Sequence, residues 1–158
     1  MKKEKKQEFI LRITQANKSQ LVVVLYDMTL AYLEDSAEEF DRGDYEKFRW
    51  NIERAKDCID ELLNSLHMEY EIAGVLKGLY YFYKRELTSA GVQREKEKMI
   101  PVMKMIQELK ESFEKVSAQD TSAPIMENTQ AVYAGLTYGK GSLNVNLADQ
   151  GTNRGFCV

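Results

Sequence analysis

The sequence predicts an all-α protein, and more narrowly an antiparallel up-down four-helix bundle followed by a C-terminal tail. Four segments between Lys18 and Val116 carry apolar residues at alternating steps of three and four, which is the spacing of amphipathic helices. The connections near Gly43, His67 and Gly91 are short, so consecutive helices should run antiparallel. The chain has 158 residues, enough to bury a sizeable core as one domain.

The first predicted helix runs from Lys18 to about Asp41 and is apolar on two sides. Asn17 and Gln20 have the spacing of an N-terminal capping box, and Gly43 supplies a left-handed stop. One stripe consists of Leu21, Val24, Leu25, Met28 and Tyr32, and the roughly opposite one of Val22, Tyr26, Leu30, Leu33 and Ala37. A helix that only covers a core needs one such stripe, so we expect the second to have another purpose.

The other three helices each show one clear apolar seam. The second runs from Tyr45 to Leu66, with Asp44 as its cap, and the third from about Glu69 to Ala90. The fourth runs from about Arg94 to Val116. Pro101 lies inside this last pattern, and because proline removes a backbone donor we expect it to kink the helix rather than mark its start.

The composition changes after Val116, and the chain divides into four parts. These are an N-terminal segment 1–17, a helical domain 18–116, a polar linker 117–130 and a C-terminal tail 131–158. Apolar and polar residues alternate on both sides of the tail sequence GKG, which predicts a β-hairpin between Ala131 and Leu147. Three arrangements stay open: the tail partly occludes the apolar surface of its own bundle, is disordered, or pairs with the tail of another protomer.

Composition and motifs argue against several classes of function. The net charge is −3, whereas nucleic-acid binding needs clustered, uncompensated lysine and arginine, so we expect no nucleic-acid partner. No run approaches a signal peptide or a membrane span, so we expect a cytoplasmic protein without membrane association. His67, the single histidine, lacks the Glu-x-x-His spacing of di-metal bundles, so we expect no metal and no cofactor.

The two cysteines do not suggest catalysis or a disulfide framework. Cys58 lies in an apolar helical pattern without a candidate base nearby in sequence, and Cys157 stands close to the last residue. We expect both to be free thiols. With no nucleophile, acid–base pair or metal set in view, we expect no catalytic residue and no enzyme.

Four stretches taken together resemble the FliS family. They are LVVVLYD at 21–27, NIERAKDCIDEL at 51–62, SLHMEYEIAGVLKGLYYF at 65–82 and KREL at 84–87, so that the likeness covers about residues 14–116. The resemblance implies an antiparallel four-helix bundle that acts as an export chaperone of the bacterial flagellum. Such a chaperone binds the C-terminal helical region of flagellin in the cytoplasm, prevents its premature polymerisation and assists its export.

The sequence departs from the family pattern in three places. Met28 stands where the family motif LYDG has glycine, and ANK at 16–18 where the family has ASP before the first helix. Phe113 stands where a tryptophan is common near the end of the fourth helix. None of these changes removes the bundle, but each bears on the choice of partner.

The resemblance gives the second apolar stripe a purpose. One face of the first helix would close the bundle and the other would help to form a groove for partner helices. We place Tyr26 on the groove side and expect Asp27 to anchor a nearby helix or loop. The candidate partner-binding residues are Leu21, Leu25, Tyr26, Leu30, Ile52, Ala55, Ile59, Ile72, Leu76, Leu79 and Tyr80. The alternative is a structural protein, a self-associating bundle whose second stripe forms a homodimer interface without binding flagellin.

Overall fold

The structure is a computed structural model that describes residues 1–126. Within these residues it contains five α-helices, a short 3-10 helix at Lys96–Lys98 and no strand, which confirms the predicted all-α class. The helices are α1 (Lys3–Gln15), α2 (Lys18–Asp41), α3 (Tyr45–Asn64), α4 (Glu71–Gln93) and α5 (Met99–Ser117). The hairpin predicted between Ala131 and Leu147, and Cys157, lie outside the described residues.

Local sequence signals define both ends of α2 and the start of α3 as predicted, while α3 ends at Asn64, two residues before the predicted Leu66. The Asn17 side chain accepts a hydrogen bond from the backbone N–H of Gln20 at 2.9 Å, and the Gln20 side chain accepts one from the N–H of Asn17 at 3.0 Å. Gly43 has a φ of 77°, a left-handed conformation that glycine adopts without steric cost. Asp44 caps α3 by accepting a hydrogen bond from the N–H of Lys47 at 3.0 Å.

The ends of α4 and α5 differ from the prediction. Gly91 does not end α4, which continues to Gln93 and is capped by Arg94 in a left-handed conformation with a φ of 57°. Gly91 instead packs against α3, where a Cβ built on it would lie 3.5 Å from Ile52 Cδ1. Pro101 is the third residue of α5, and the first four N–H groups of a helix make no hydrogen bond within it. Proline can therefore occupy this position without breaking the helix, and the predicted kink is wrong.

The main core lies between α2, α3, α4 and α5. α2 contacts α3 and α5, and α4 also contacts α3 and α5. We call the buried apolar set that these four helices share the main core: Leu25, Tyr26, Leu30, Leu33, Phe48, Ile52, Ala55, Ile59, Leu62, Leu76, Tyr80, Tyr83, Leu87, Ala90, Met99, Val102 and Ile106. None of the helices described is both long and apolar enough to cross a membrane.

α1, which was not predicted as a helix, packs on another side of α2. Phe9 is its buried aromatic residue and meets Val24 and Ala31 of α2, with Ile13 and Met28 partly buried around them. We call this set the side cluster. It explains why α2 is apolar on two sides, because one side faces the main core and the other faces α1.

The chain after α5 returns to the junction between α1 and α2. We call residues 118–126 the C-terminal strap. The Asn17 amide donates a hydrogen bond to the carbonyl oxygen of Asp120 at 3.1 Å, and the hydroxyl of Ser19 donates one to the carboxylate of Asp120 at 2.6 Å. The backbone N–H of Ile125 donates to the carbonyl oxygen of Ala16 at 3.0 Å. The strap therefore lies across the junction of the two helices.

Candidate functional site

The structure divides the predicted partner-binding residues by their burial. Eight lie in the main core: Leu25, Tyr26, Leu30, Ile52, Ala55, Ile59, Leu76 and Tyr80. Leu21 and Leu79 are half-buried against the core, and Ile72 is exposed to solvent over 63% of its surface. Whether any of them binds a partner stays a prediction, but the buried members can contribute only through the edges that they present to a surface depression.

Tyr26 lies in the main core, so its predicted place on a groove side outside the core is wrong. The residue has no exposed surface, and its hydroxyl lies 2.5 Å from the hydroxyl of Tyr80 on α4. Its ring also packs against Phe113 of α5, with the ring centroids 5.7 Å apart. Because both stripes of α2 are apolar, the sequence pattern alone assigned the two sides of the helix in the wrong order.

Asp27 joins three helices through ion pairs. One of its carboxylate oxygens lies 2.6 Å from Nη2 of Arg12 on α1, and the other lies 2.7 Å from Nζ of Lys110 on α5. The hydrogen bond to Asp27 raises the pKa of Lys110. Asp27 therefore anchors α1 and α5 to α2, and it does so by ion pairs with side chains of those helices rather than by hydrogen bonds to nearby backbone.

A surface groove opens where the first half of α4 and the loop between α3 and α4 meet the first turns of α2 and the last turns of α5. It has a volume of about 150 Å³, and its apolar lining includes Val22, Leu66, Ile72, Leu76, Tyr80 and Phe113. We call it the apolar groove. Larger depressions, of about 460, 410 and 220 Å³, are lined mainly by charged and polar residues. Three predicted residues, Ile72, Leu76 and Tyr80, meet in the apolar groove.

The loop between α3 and α4, which lines part of the apolar groove, carries exposed apolar side chains. Met68 and Tyr70 in this loop are exposed over 55% and 63% of their surfaces, and Ile72 follows in the first turn of α4. Large contiguous apolar patches on a protein surface are uncommon and often mark binding sites. Sequence reasoning missed Met68 and Tyr70, although three large apolar residues at every second position in a short loop were a signal for them.

The inner wall of the apolar groove also contains a polar group. Tyr80 lines the groove and shares one hydrogen bond with Tyr26, so one of the two hydroxyl protons has no acceptor among the described residues. Burial raises the pKa of both tyrosines, which keeps the two hydroxyls protonated. The apolar groove therefore has one tyrosine side chain, that of Tyr80, in its inner wall.

The described part of the chain contains no group of three side chains that could hold a metal ion. Cys58 is a free thiol buried between α2 and α3, and burial raises its pKa to about 11. A thiol with such a pKa is almost entirely protonated at neutral pH and is a poor nucleophile.

The family comparison agrees with the resemblance seen in the sequence. A family model described as Flagellar protein FliS matches residues 1–120, which include all five helices. No curated protein matches the chain.

Proposed function

The chain belongs to the FliS family of flagellar proteins, and from this we propose that it is an export chaperone that binds the C-terminal helical region of flagellin in the cytoplasm. In this proposal α2 to α5 form an antiparallel up-down bundle, residues 18–116 are the chaperone domain, and the apolar groove is part of the flagellin-binding surface. Covering the apolar face of a flagellin helix would prevent premature polymerisation and keep the subunit ready for export.

The apolar groove with its exposed rim carries the proposal. A partner helix that lays apolar side chains into a groove needs a continuous apolar surface with a recess, and Leu66, Ile72 and Phe113 line such a recess. Tyr70 also lines the recess and is exposed over 63% of its surface, and the exposed Met68 lies two residues earlier in the same loop. A helix of flagellin would place one or two side chains in the recess and others along the rim.

The expected energy suits a complex that must form and later separate. If five large side chains each lose about 100 Å² of exposed apolar surface, the gross stabilisation is about 12 kcal/mol at about 25 cal/mol per Å². Loss of translational freedom and ordering of a flexible partner cost about 4–15 kcal/mol. At the low end of this cost about 8 kcal/mol remains, which corresponds to a dissociation constant of about 1 μM.

Calorimetric titration of the full chain with a peptide from the C-terminal helical region of flagellin tests the proposal. We expect Ile72→Ser to weaken binding about tenfold, because Ile72 lines the groove and is exposed, and to leave the melting temperature almost unchanged. Val92→Ser is the matched control, since Val92 is exposed over 70% of its surface near the other end of the same helix.

Two results would contradict different parts of the proposal. If no binding is detected at about 50 μM peptide, any remaining affinity is too weak for a chaperone, and flagellin binding itself is contradicted. Binding that Ile72→Ser leaves unchanged, or that Val92→Ser weakens equally, would place the binding surface elsewhere than the apolar groove.

A further inference from the structure

The outward face of α4 is an apolar surface that the described residues leave uncovered. Val75 and Tyr81 are exposed over 63% and 56% of their surfaces, and Gly74 and Gly78 lie beside them on the same side of the helix. We call this side, which also includes Glu71, Phe82 and Arg85, the α4 outward face. It is distinct from the apolar groove, because Leu76 and Tyr80 line that groove from another side of α4.

The two glycines of this face have no role in the packing of the described residues. A Cβ built on Gly74 or on Gly78 would meet no atom within 4 Å, so alanine would fit at both positions. Glycine is less favourable than alanine inside a helix because its backbone loses more conformational freedom on folding. Two open glycines one turn apart allow the backbone of another helix to approach closely, while Val75 and Tyr81 supply apolar contact beside them.

The α4 outward face is complementary to itself. When two copies of a helix pack antiparallel about a two-fold axis, residues at equal distances before and after the axis meet. With the axis at Gly78, the glycine meets its own copy, Gly74 meets Phe82 of the second copy, and Val75 meets Tyr81. A small residue then faces a large one, and apolar residues face each other.

The charges at the ends of this face match in the same register. Glu71 and Arg85 each lie seven residues from Gly78, so they meet as two symmetric ion pairs. Within the described residues Glu71 has no ion-pair partner, and Arg85 pairs with its neighbour Glu86, with 3.2 Å between Nε and Oε1. We propose that a second copy of this chain docks antiparallel on the α4 outward face, with the two-fold axis at Gly78.

This interface differs from the homodimer predicted on the second stripe of α2, because Tyr26, Leu30 and Leu33 of that stripe lie in the main core. It also leaves the apolar groove open, so that each copy of the dimer could hold a partner there. The docking therefore does not depend on the proposed function, and its test needs no flagellin.

Sedimentation velocity of the full chain, from about 1 to 200 μM, measures the dimer directly. We expect Gly78→Leu to raise the dimer dissociation constant at least about tenfold, because the leucine side chain prevents close approach of the two backbones. Gly78→Ala should weaken the dimer less and raise the melting temperature of the monomer, since alanine favours the helix and meets no neighbour. A variant that dimerises more weakly but melts at a higher temperature has lost part of the interface, whereas a variant with a damaged fold would melt at a lower temperature.

Charge reversal tests the antiparallel register. Glu71→Arg alone and Arg85→Glu alone should each weaken the dimer about tenfold, because like charges then face each other twice, and the double variant should restore it. Lys77→Glu is the control, since Lys77 is an exposed charge on α4 away from the outward face.

A chain that stays monomeric up to about 200 μM would overturn the proposal, as would a dimer that Gly78→Leu leaves intact. Failure of the double charge reversal to restore the dimer would overturn the antiparallel register. If Gly78→Leu instead abolishes binding of the flagellin peptide in a monomeric chain, the face belongs to flagellin and the self-association proposal fails.

Discussion

The two buried sides of α2 differ in what covers them. Tyr26 and Leu33 on one side belong to the main core, which four helices share. Val24 and Ala31 on the other side meet a single helix, α1, through Phe9 and a few partly buried neighbours. The comparison teaches that apolar residues on a helix side indicate that the side is covered, but not by which element or how firmly.

The interaction between α1 and α2 also depends more on charges near the surface. Arg12 pairs with Asp27 at 2.6 Å while its side chain is 35% exposed, and Lys5 lies 3.8 Å from Glu34 with both side chains largely exposed. Ion pairs near the solvent contribute little to stability. α1 should therefore separate from α2 at a lower free energy than is needed to unfold the main core.

The largest expected effect is on the main-core side. Tyr26→Ala should lower the free energy of unfolding by about 3–5 kcal/mol, because it removes a fully buried ring and leaves the hydroxyl of Tyr80 without its partner. Urea denaturation followed by circular dichroism measures the change. A loss below about 1 kcal/mol in the free energy of unfolding would indicate that Tyr26 lies outside the core.

Phe9→Ala tests the α1 side with an equally buried aromatic residue. We expect a loss of about 1–2 kcal/mol in the free energy of unfolding, because the loss cannot exceed the free energy with which α1 docks. Amide hydrogen exchange in α1 should accelerate at least about tenfold while exchange in α2 changes little. Ile10→Ala, on the exposed side of α1, is the control. A loss as large as that of Tyr26→Ala would show that α1 and the main core unfold together.

Two conservative tyrosine substitutions sharpen the description of the main core. Tyr26→Phe should lower the free energy of unfolding by about 1 kcal/mol, because Tyr80 loses its hydrogen-bond partner. Tyr83→Phe should cost nothing or stabilise slightly, since the buried hydroxyl of Tyr83 has no hydrogen-bond partner among the described residues. Paired urea titrations measure both, and equal losses would mean that the hydroxyl of Tyr83 does have a partner.

The contribution of Tyr83 to stability should depend on pH in the alkaline range. Burial raises the pKa of Tyr83 to about 12, so its contribution is complete below pH about 10 and disappears as the pH rises toward about 12. At pH about 10.5 an unfolded tyrosine gains about 0.8 kcal/mol from ionisation that the folded one does not. The stability of Tyr83→Phe should therefore fall about 0.8 kcal/mol less than that of the wild type between pH 8 and about 10.5. Identical losses would contradict the raised pKa, and Lys110 titrates equally in both proteins.

Features with local causes were predictable from the sequence. The capping box of Asn17 and Gln20 and the left-handed Gly43 depend on residues within one turn, and the structure has both. Gly91 misled because a glycine after an apolar pattern suggests a helix end, whereas this one lies beside Ile52 of α3. Which reading of a glycine applies depends on a contact with a distant segment.

α1 and the orientation of α2 were not predictable for the same physical reason. Residues 1–17 are strongly charged, and the helix in them is stabilised by docking Phe9 on α2 rather than by a periodic pattern of its own. The two sides of α2 are about equally apolar, so periodicity could not say which one Tyr26 faces. Of the candidate site, Ile72, Leu76 and Tyr80 came from the resemblance, while Met68 and Tyr70 lie in a loop, outside the helical patterns from which the candidates were drawn.

The C-terminal strap implies an order of events in folding. Its contact between Asn17 and Asp120 joins residues 103 positions apart, whereas the turn at Gly43 brings α2 and α3 together over a few residues. Closing a long loop costs chain entropy before its contacts are made, so the hairpin of α2 and α3 should form early and the strap should close last. An interaction that forms after the transition state affects only the unfolding rate. Loss of the Ser19 hydroxyl, which donates to Asp120, would therefore make the folded protein shorter-lived without making it slower to fold.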